Sequence, residues 1–157
     1  MKFISFILLF LTTSFIAASP ASAQKKQAVA KKDSMHAIVY KSPTCGCCSK
    51  WEDHLRNSGF TVDSRITRHG AQIKKRLNIP RQLQSCHTAI IGEYLVEGHV
   101  PASDIKRMLK EKPDILGLTA PGMPQESPGM QPEGKKPANY DVLSFTRDGK
   151  TKVYTSY

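Results

Sequence analysis

Three cysteines within four residues, Cys45, Cys47 and Cys48, are the feature that most limits what this chain can fold into. They follow the run 36–40, whose apolar, β-branched residues are typical of a strand, and they lead into the segment 47–58, whose apolar residues share one helical face. A C-x-x-C pair between a strand and a helix is typical of a thioredoxin-like redox site. The pattern therefore predicts an α/β domain with the cysteines at the start of its first helix.

The segments that follow extend this prediction. A strand, a short helix and a β-hairpin are predicted over 60–66, 71–78 and 88–99, and Pro101 is suited to the first turn of a further helix. The resulting order of β, α, β, α, β, β, α favours a thioredoxin-like fold.

Two C-terminal segments have contrasting patterns. Residues 113–137 hold six of the ten prolines and four glycines, which predicts a flexible loop without a regular element. Residues 140–154 contain two strand-like runs around Asp148-Gly149, a strong two-residue turn signal, and predict a second β-hairpin.

The N-terminus predicts export. An apolar run over 3–16 follows a lysine, and Ala21-Ser22-Ala23 fits a signal-peptide cleavage site. A single transmembrane anchor is the alternative, but the run is shorter than the ~20 residues needed to span a bilayer. We therefore expect a cleaved signal peptide (1–23), a flexible basic tail (24–34), and a periplasmic domain (35–157) with no membrane contact after cleavage.

The formal net charge of +10 leaves two kinds of anionic partner open. A basic protein can bind nucleic acid or anionic lipid. Export argues against nucleic acid, and the lysines near the predicted cleavage site are typical of a solvated tail. We expect no nucleic-acid partner.

The chemistry of the cysteine cluster favours a metal or redox site. A disulfide between cysteines this close in the sequence closes almost no loop, so it would add little to the stability of the fold. A thiolate at a helix N-terminus is stabilised, which favours both disulfide exchange and metal binding. Exchange needs only Cys45 and Cys48, so Cys47 adds a third soft donor of the kind that Cu(I), zinc or iron–sulfur centres use. A disulfide with one spare thiol is the plain alternative.

Five residues outside the cluster are further candidate ligands. Cys86 precedes the predicted hairpin, and in a thioredoxin-like topology its loop faces the cysteine loop. His87 could bind metal or face solvent, and His99, at a strand end, is more often structural. Met123 and Met130 each end a Pro-Gly-Met sequence and carry thioethers suited to Cu(I), although they could also anchor the loop.

These motifs resemble the family of exported bacterial copper-resistance proteins of the CopG type. The resemblance runs from about residue 35 to 154 and rests on the cysteine cluster, Ser85-Cys86-His87-Thr88, the segment 96–101 and the two Pro-Gly-Met sequences. It implies a thioredoxin-like fold, a multinuclear copper cluster bridged by cysteine, and periplasmic redox handling of copper. The ligands it supports are Cys45, Cys47, Cys48 and Cys86, with added weight for His87, His99, Met123 and Met130.

Three functions remain open from the sequence. The first is a periplasmic protein that binds more than one copper ion as Cu(I) or Cu(II), could act as a copper oxidoreductase, and meets other periplasmic copper-handling proteins. The second is a metal-free thiol–disulfide oxidoreductase with Cys45 as nucleophile and Cys48 as resolving thiol. The third is a structural zinc module, although C-x-C-C crowds its sulfurs around one tetrahedral ion.

Overall fold

One mixed, seven-stranded sheet organises the protein in the computed structural model, which describes residues 35–157. The predicted signal peptide and basic tail lie outside the described residues. The strands are β1 (His36–Lys41), β2 (Thr61–Ile66), β3 (Thr88–Ile91), β4 (Tyr94–Gly98), β5 (Gly117–Ala120), β6 (Asp141–Phe145) and β7 (Thr151–Ser156). The helices are α1 (Gly46–Asn57), α2 (Gly70–Arg76) and α3 (Ala102–Glu111), and Arg81–Leu83 forms a 3-10 turn.

The sheet order is β2-β1-β3-β4-β5-β6-β7. The first two strands run parallel, and α1 connects them. β3 pairs antiparallel with both β1 and β4. This arrangement confirms the mixed α/β class and the predicted order of elements from β1 to α3. In the part of the chain that the structure describes, no helix has the length and apolar character to cross a membrane.

The core forms where the apolar faces of the predicted elements meet. In β1, alternate residues point inward, and Ala37 and Val39 are fully buried. Trp51 and Leu55, four residues apart on α1, are also fully buried and join the same cluster. The Trp51 indole Nε1 donates a hydrogen bond to the Val100 carbonyl over 2.8 Å, which fixes α1 against the segment that follows β4.

The prediction that 113–137 lacks a regular element is wrong, because β5 lies inside this segment. β5 pairs parallel with β4 and antiparallel with β6, and all four of its residues are buried. A Cβ at Gly117 would overlap the carbonyl of Leu95, so the strand can approach β4 only with glycine there. The prolines and glycines on either side obscured a short strand that its neighbours on the sheet stabilise.

The predicted C-terminal hairpin is confirmed. β6 and β7 pair antiparallel around the turn at Asp148-Gly149, with a register shift after Val142. β6 pairs with β5, which connects the hairpin to the other strands, so all seven strands belong to one continuous sheet.

Candidate metal centre

The cysteine loop lies at the N-terminus of α1, as the sequence predicts. Cys45 is the residue before the helix, and Cys47 and Cys48 lie in its first turn. Cys45 and Cys48 are joined by a disulfide with a Cα–Cα distance of 5.3 Å, while Cys47 is a free thiol. The Cys47 Sγ lies 3.5 Å from the Cys45 Sγ. Cys48 is fully buried, but the other two are only half-buried, so the loop can be reached from solvent.

Cys86 reaches this loop through the pairing of β1 with β3. Tyr40, near the end of β1, lies opposite Thr88, the first residue of β3. Because the strands are antiparallel, the residues that follow β1 and those that precede β3 meet at the same end of the sheet. The four sulfur atoms consequently lie within 4.8 Å of one another, which confirms the predicted convergence. We call Cys45, Cys47, Cys48 and Cys86 the sulfur set.

Two buried histidines form a second group around the same Cys86. The Cys86 Sγ is 3.3 Å from His87 Nδ1 and 3.2 Å from His99 Nε2, and both histidines are fully buried. Gly98 N, at the end of β4, donates a hydrogen bond to the carbonyl of His87, the residue just before β3. This contact brings the His87 and His99 rings together. We call Cys86, His87 and His99 the imidazole set; its donor atoms also lie within 4.8 Å of one another.

A backbone carbonyl fixes the tautomer of His99. Its Nδ1–H donates to the Pro128 carbonyl over 2.7 Å, and a carbonyl can only accept. The Nε2 lone pair of the neutral ring therefore faces Cys86. Burial lowers the pKa of His99 despite this hydrogen bond, which favours the neutral form that a metal ion requires.

His87 is held in a tighter, less polar environment. Burial lowers its pKa well below the ordinary value, and the nearby His99 and Lys74 lower it further. Its ring lies against Trp51, with the ring centroids 4.3 Å apart. Its Nε2 is buried and has no hydrogen-bond partner among the described residues. The ring is thus a neutral imidazole with Nδ1 directed at Cys86.

Burial also governs the protonation of Cys86. It raises the pKa of this thiol to about 11, and the charge of Cys47 adds to the effect. In the protein without metal, Cys86 is therefore a thiol at neutral pH. A bound cation would reverse this preference, because a metal ion binds the thiolate and displaces the proton.

The two predicted methionine ligands lie in a segment that packs onto the cysteine loop. Next to Met130, the backbone of Gly129 is so close to α1 that a Cβ there would lie 2.7 Å from Trp51 N and 2.9 Å from the Cys47 carbonyl. Met130 is half-buried, whereas Met123 is 55% exposed. The ligand role of both methionines stays a prediction.

Two supporting groups were not found from the sequence. One is the Pro128 carbonyl, which no sequence pattern marks. The other is Glu97, a fully buried carboxylate that accepts hydrogen bonds from Lys74, from the Thr88 hydroxyl and from Ser85 N. It holds the backbone just before Cys86. An acidic residue within the apolar strand 95–98 was the signal that could have identified it.

The donor set suits a soft metal ion. It offers four sulfurs and two imidazole nitrogens, and no carboxylate belongs to either set. Thiolate and imidazole ligands favour copper and zinc over magnesium or calcium. The fold and site together define a mixed α/β protein with a cysteine- and histidine-rich candidate metal centre.

Comparisons with known proteins place this centre in a family. The family described as "Protein of unknown function, DUF411" matches residues 83–130, which include the imidazole set and both methionines. Two solved structures, titled "Copper resistance protein copG- Form 1" and "Form 2", are each 39% identical to the chain, with a TM-score of 0.71. Both alignments span 78% of this chain, and they span 96% of the first solved chain and 97% of the second. No curated protein matches significantly. The chain belongs to the CopG copper-resistance family.

Proposed function

We propose that this protein binds copper at the centre formed by the sulfur set and the imidazole set, and that it contributes to copper resistance by redox handling or sequestration. The observation that carries the proposal is the overlap of the two sets at Cys86. The titles of the related structures, which name a copper-resistance protein, support copper over zinc.

The overlap favours more than one copper ion per chain. Cu(I) is satisfied by two to four soft ligands, and six donors exceed what one ion needs. A thiolate of Cys86 can bridge one ion held by the other sulfurs and a second held by His87 and His99. The thioethers of Met123 and Met130 would complete the coordination from the loop that covers α1.

The disulfide between Cys45 and Cys48 links copper binding to redox chemistry. In the disulfide form these two sulfurs are poor ligands, and in the dithiol form they are strong ones. Two Cu(II) ions can accept the two electrons released when the dithiol closes, giving two Cu(I), one disulfide and two protons. In the reverse reaction two Cu(I) ions return the two electrons to the disulfide, which takes up two protons and opens to the dithiol, and copper becomes Cu(II). Either direction would make the protein a copper oxidoreductase.

The same proposal includes location and domain organisation. Residues 1–23 would direct export to the periplasm, 24–34 would be a flexible tail, and 35–157 would form the working domain, where other periplasmic copper-handling proteins are the expected partners. We further propose that 36–110 form a thioredoxin-like unit. The sheet order β2-β1-β3-β4, with the C-x-x-C pair at the N-terminus of α1, supports this.

The test is copper retention under competition. Reduced protein is loaded with Cu(I), challenged with a Cu(I) chelator, and analysed for copper per chain. We expect more than one ion in the wild type and a clear loss in Cys47→Ser, because serine is a poor ligand for Cu(I). Disulfide exchange through Cys45 and Cys48 should persist in this variant. The same assay on Met123→Leu with Met130→Leu tests the thioethers at nearly constant side-chain volume.

A metal-free thiol–disulfide oxidoreductase is the second candidate. The half-buried Cys45 bonded to the fully buried Cys48 is the arrangement that such an enzyme needs, with an accessible nucleophile and a protected resolving thiol. Copper retention separates the candidates. If Cys47→Ser retains as much copper as the wild type, the third thiolate has no metal role and the oxidoreductase becomes the better assignment.

A further inference from the structure

A cavity of about 460 Å³ opens beside Cys86, between the β1–α1 loop and α2. Its size is within the range of ~300–1,000 Å³ common for small-molecule sites. Cys86 is the one residue of either ligand set that lines it. A molecule in this cavity would therefore meet the metal centre at the residue that both sets share.

The charge of the cavity wall favours an anionic occupant. Lys41, Arg68 and Lys74 line it, and none of its described lining residues is acidic. The two lysines have buried partners behind the wall, since Lys41 Nζ is 2.9 Å from a Glu52 carboxylate oxygen and Lys74 pairs with Glu97.

Arg68 differs from both lysines. Its side chain is exposed, and among the residues that the structure describes it forms no ion pair. Its guanidinium can therefore bind an incoming carboxylate through two parallel N–H···O bonds. Hydroxyl groups of Ser42, Thr44 and Thr67 line the same cavity and can donate further hydrogen bonds.

We propose that this cavity binds copper delivered as a complex with a small anionic thiol, with Arg68 holding a carboxylate of the carrier while its sulfur presents Cu(I) to Cys86. The proposal rests on the proposed copper function and names the form in which the metal arrives. The transfer is a ligand exchange: the bond from copper to the carrier sulfur breaks, and a bond from copper to Cys86 Sγ forms. The Cys86 proton moves to the carrier thiolate, and copper remains Cu(I), so no oxidant is required.

The test compares two copper donors. The protein, expressed from its full sequence and purified from a periplasmic extract, is reduced and freed of reductant, so that the carrier cannot act by opening the disulfide. The rate of Cu(I) uptake is measured from Cu(I)–glutathione, which carries carboxylates, and from Cu(I)–acetonitrile, which carries none. Arg68→Gln should slow uptake from the glutathione complex about three- to tenfold and leave the acetonitrile rate unchanged.

Arg147→Gln is the matched control, because it makes the same change of charge in the exposed β6–β7 turn, away from the cavity lining. It should change neither rate, and Arg68→Lys should recover part of the loss. An unchanged glutathione rate in Arg68→Gln, an equal slowing with both donors, or an equal effect of Arg147→Gln would each overturn the proposal. If the wild type takes copper from neither donor, the copper function itself is wrong, and this inference falls with it.

Discussion

The two ligand sets that meet at Cys86 are built in contrasting ways. Three members of the sulfur set lie within four residues at one helix start, and two of them form a disulfide. The imidazole set draws on residues 13 positions apart and depends on a carbonyl a further 29 residues away. One set is local, partly exposed and able to change redox state; the other is buried and fixed by tertiary contacts.

This contrast suggests a division of labour. Burial lowers the pKa of both imidazoles and favours their neutral form, so in the proposed copper site they would supply ligands that do not change with redox state. The cysteine pair can gain or lose two electrons and thereby change the number of sulfur donors. In the proposed copper site, a set of ligands with constant geometry and a set that changes redox state would therefore share the Cys86 sulfur.

Removing the shared atom should have the largest effect. Cys86→Ser takes a thiolate from both sets at once, so we expect the copper retained under chelator competition to fall by about half or more. Copper per chain is the measurement, and Ser156→Ala, at an exposed position of β7 away from both ligand sets, is the control. If Cys86→Ser loses no more copper than a variant of one other residue in either set, the two sets are independent. The proposed bridging role of Cys86 is then wrong.

Removing one imidazole should weaken copper binding at the imidazole set only. His99→Asn keeps a side-chain amide able to donate to the Pro128 carbonyl but lacks the nitrogen that faces Cys86. We expect a loss of about one copper ion per chain or a 10–100-fold weaker affinity. The rate of disulfide exchange at Cys45 and Cys48 should stay the same. If His99→Asn keeps its full copper but loses disulfide exchange, His99 acts in the redox chemistry of the cysteines and not in copper binding.

A smaller effect on copper binding, together with a loss of stability, is expected from a substitution at Gly129, where the loop after β5 packs on α1. Gly129 has a φ of 85°, and a Cβ there would press on the backbone of Trp51 and Cys47. Gly134 has nearly the same φ, 83°, but open space around it. The left-handed conformation alone costs about 1–2 kcal/mol with alanine, and overpacking adds about 1–3 kcal/mol.

Gly129→Ala should therefore unfold at lower denaturant concentration than Gly134→Ala and should also bind copper less tightly. Chemical denaturation and the chelator assay measure the two effects. Equal stability of the two variants would show that the loop does not press on α1 as the structure indicates.

The order of elements was predictable because each depends on a local pattern. The run 36–40, the apolar face of α1 and the Asp148-Gly149 turn each favour one local conformation whatever surrounds them. The strand β5 was missed for the opposite reason. Its four residues lie among prolines and glycines. Their extended conformation is stabilised by β4 and β6, whose paired residues are 22 to 28 positions away in the sequence.

The sequence by itself determined which donor atoms are present: four thiols, two candidate imidazoles and two thioethers, a soft set that already favoured copper. Only the tertiary structure decided how they combine. The β1–β3 pairing brings Cys86 to the cysteine loop, and the β3–β4 pairing brings His87 and His99 to Cys86. The Pro128 carbonyl selects the nitrogen that His99 presents. Each of these contacts joins residues distant along the chain, and their geometry is set by sheet register and packing rather than by local residue preference.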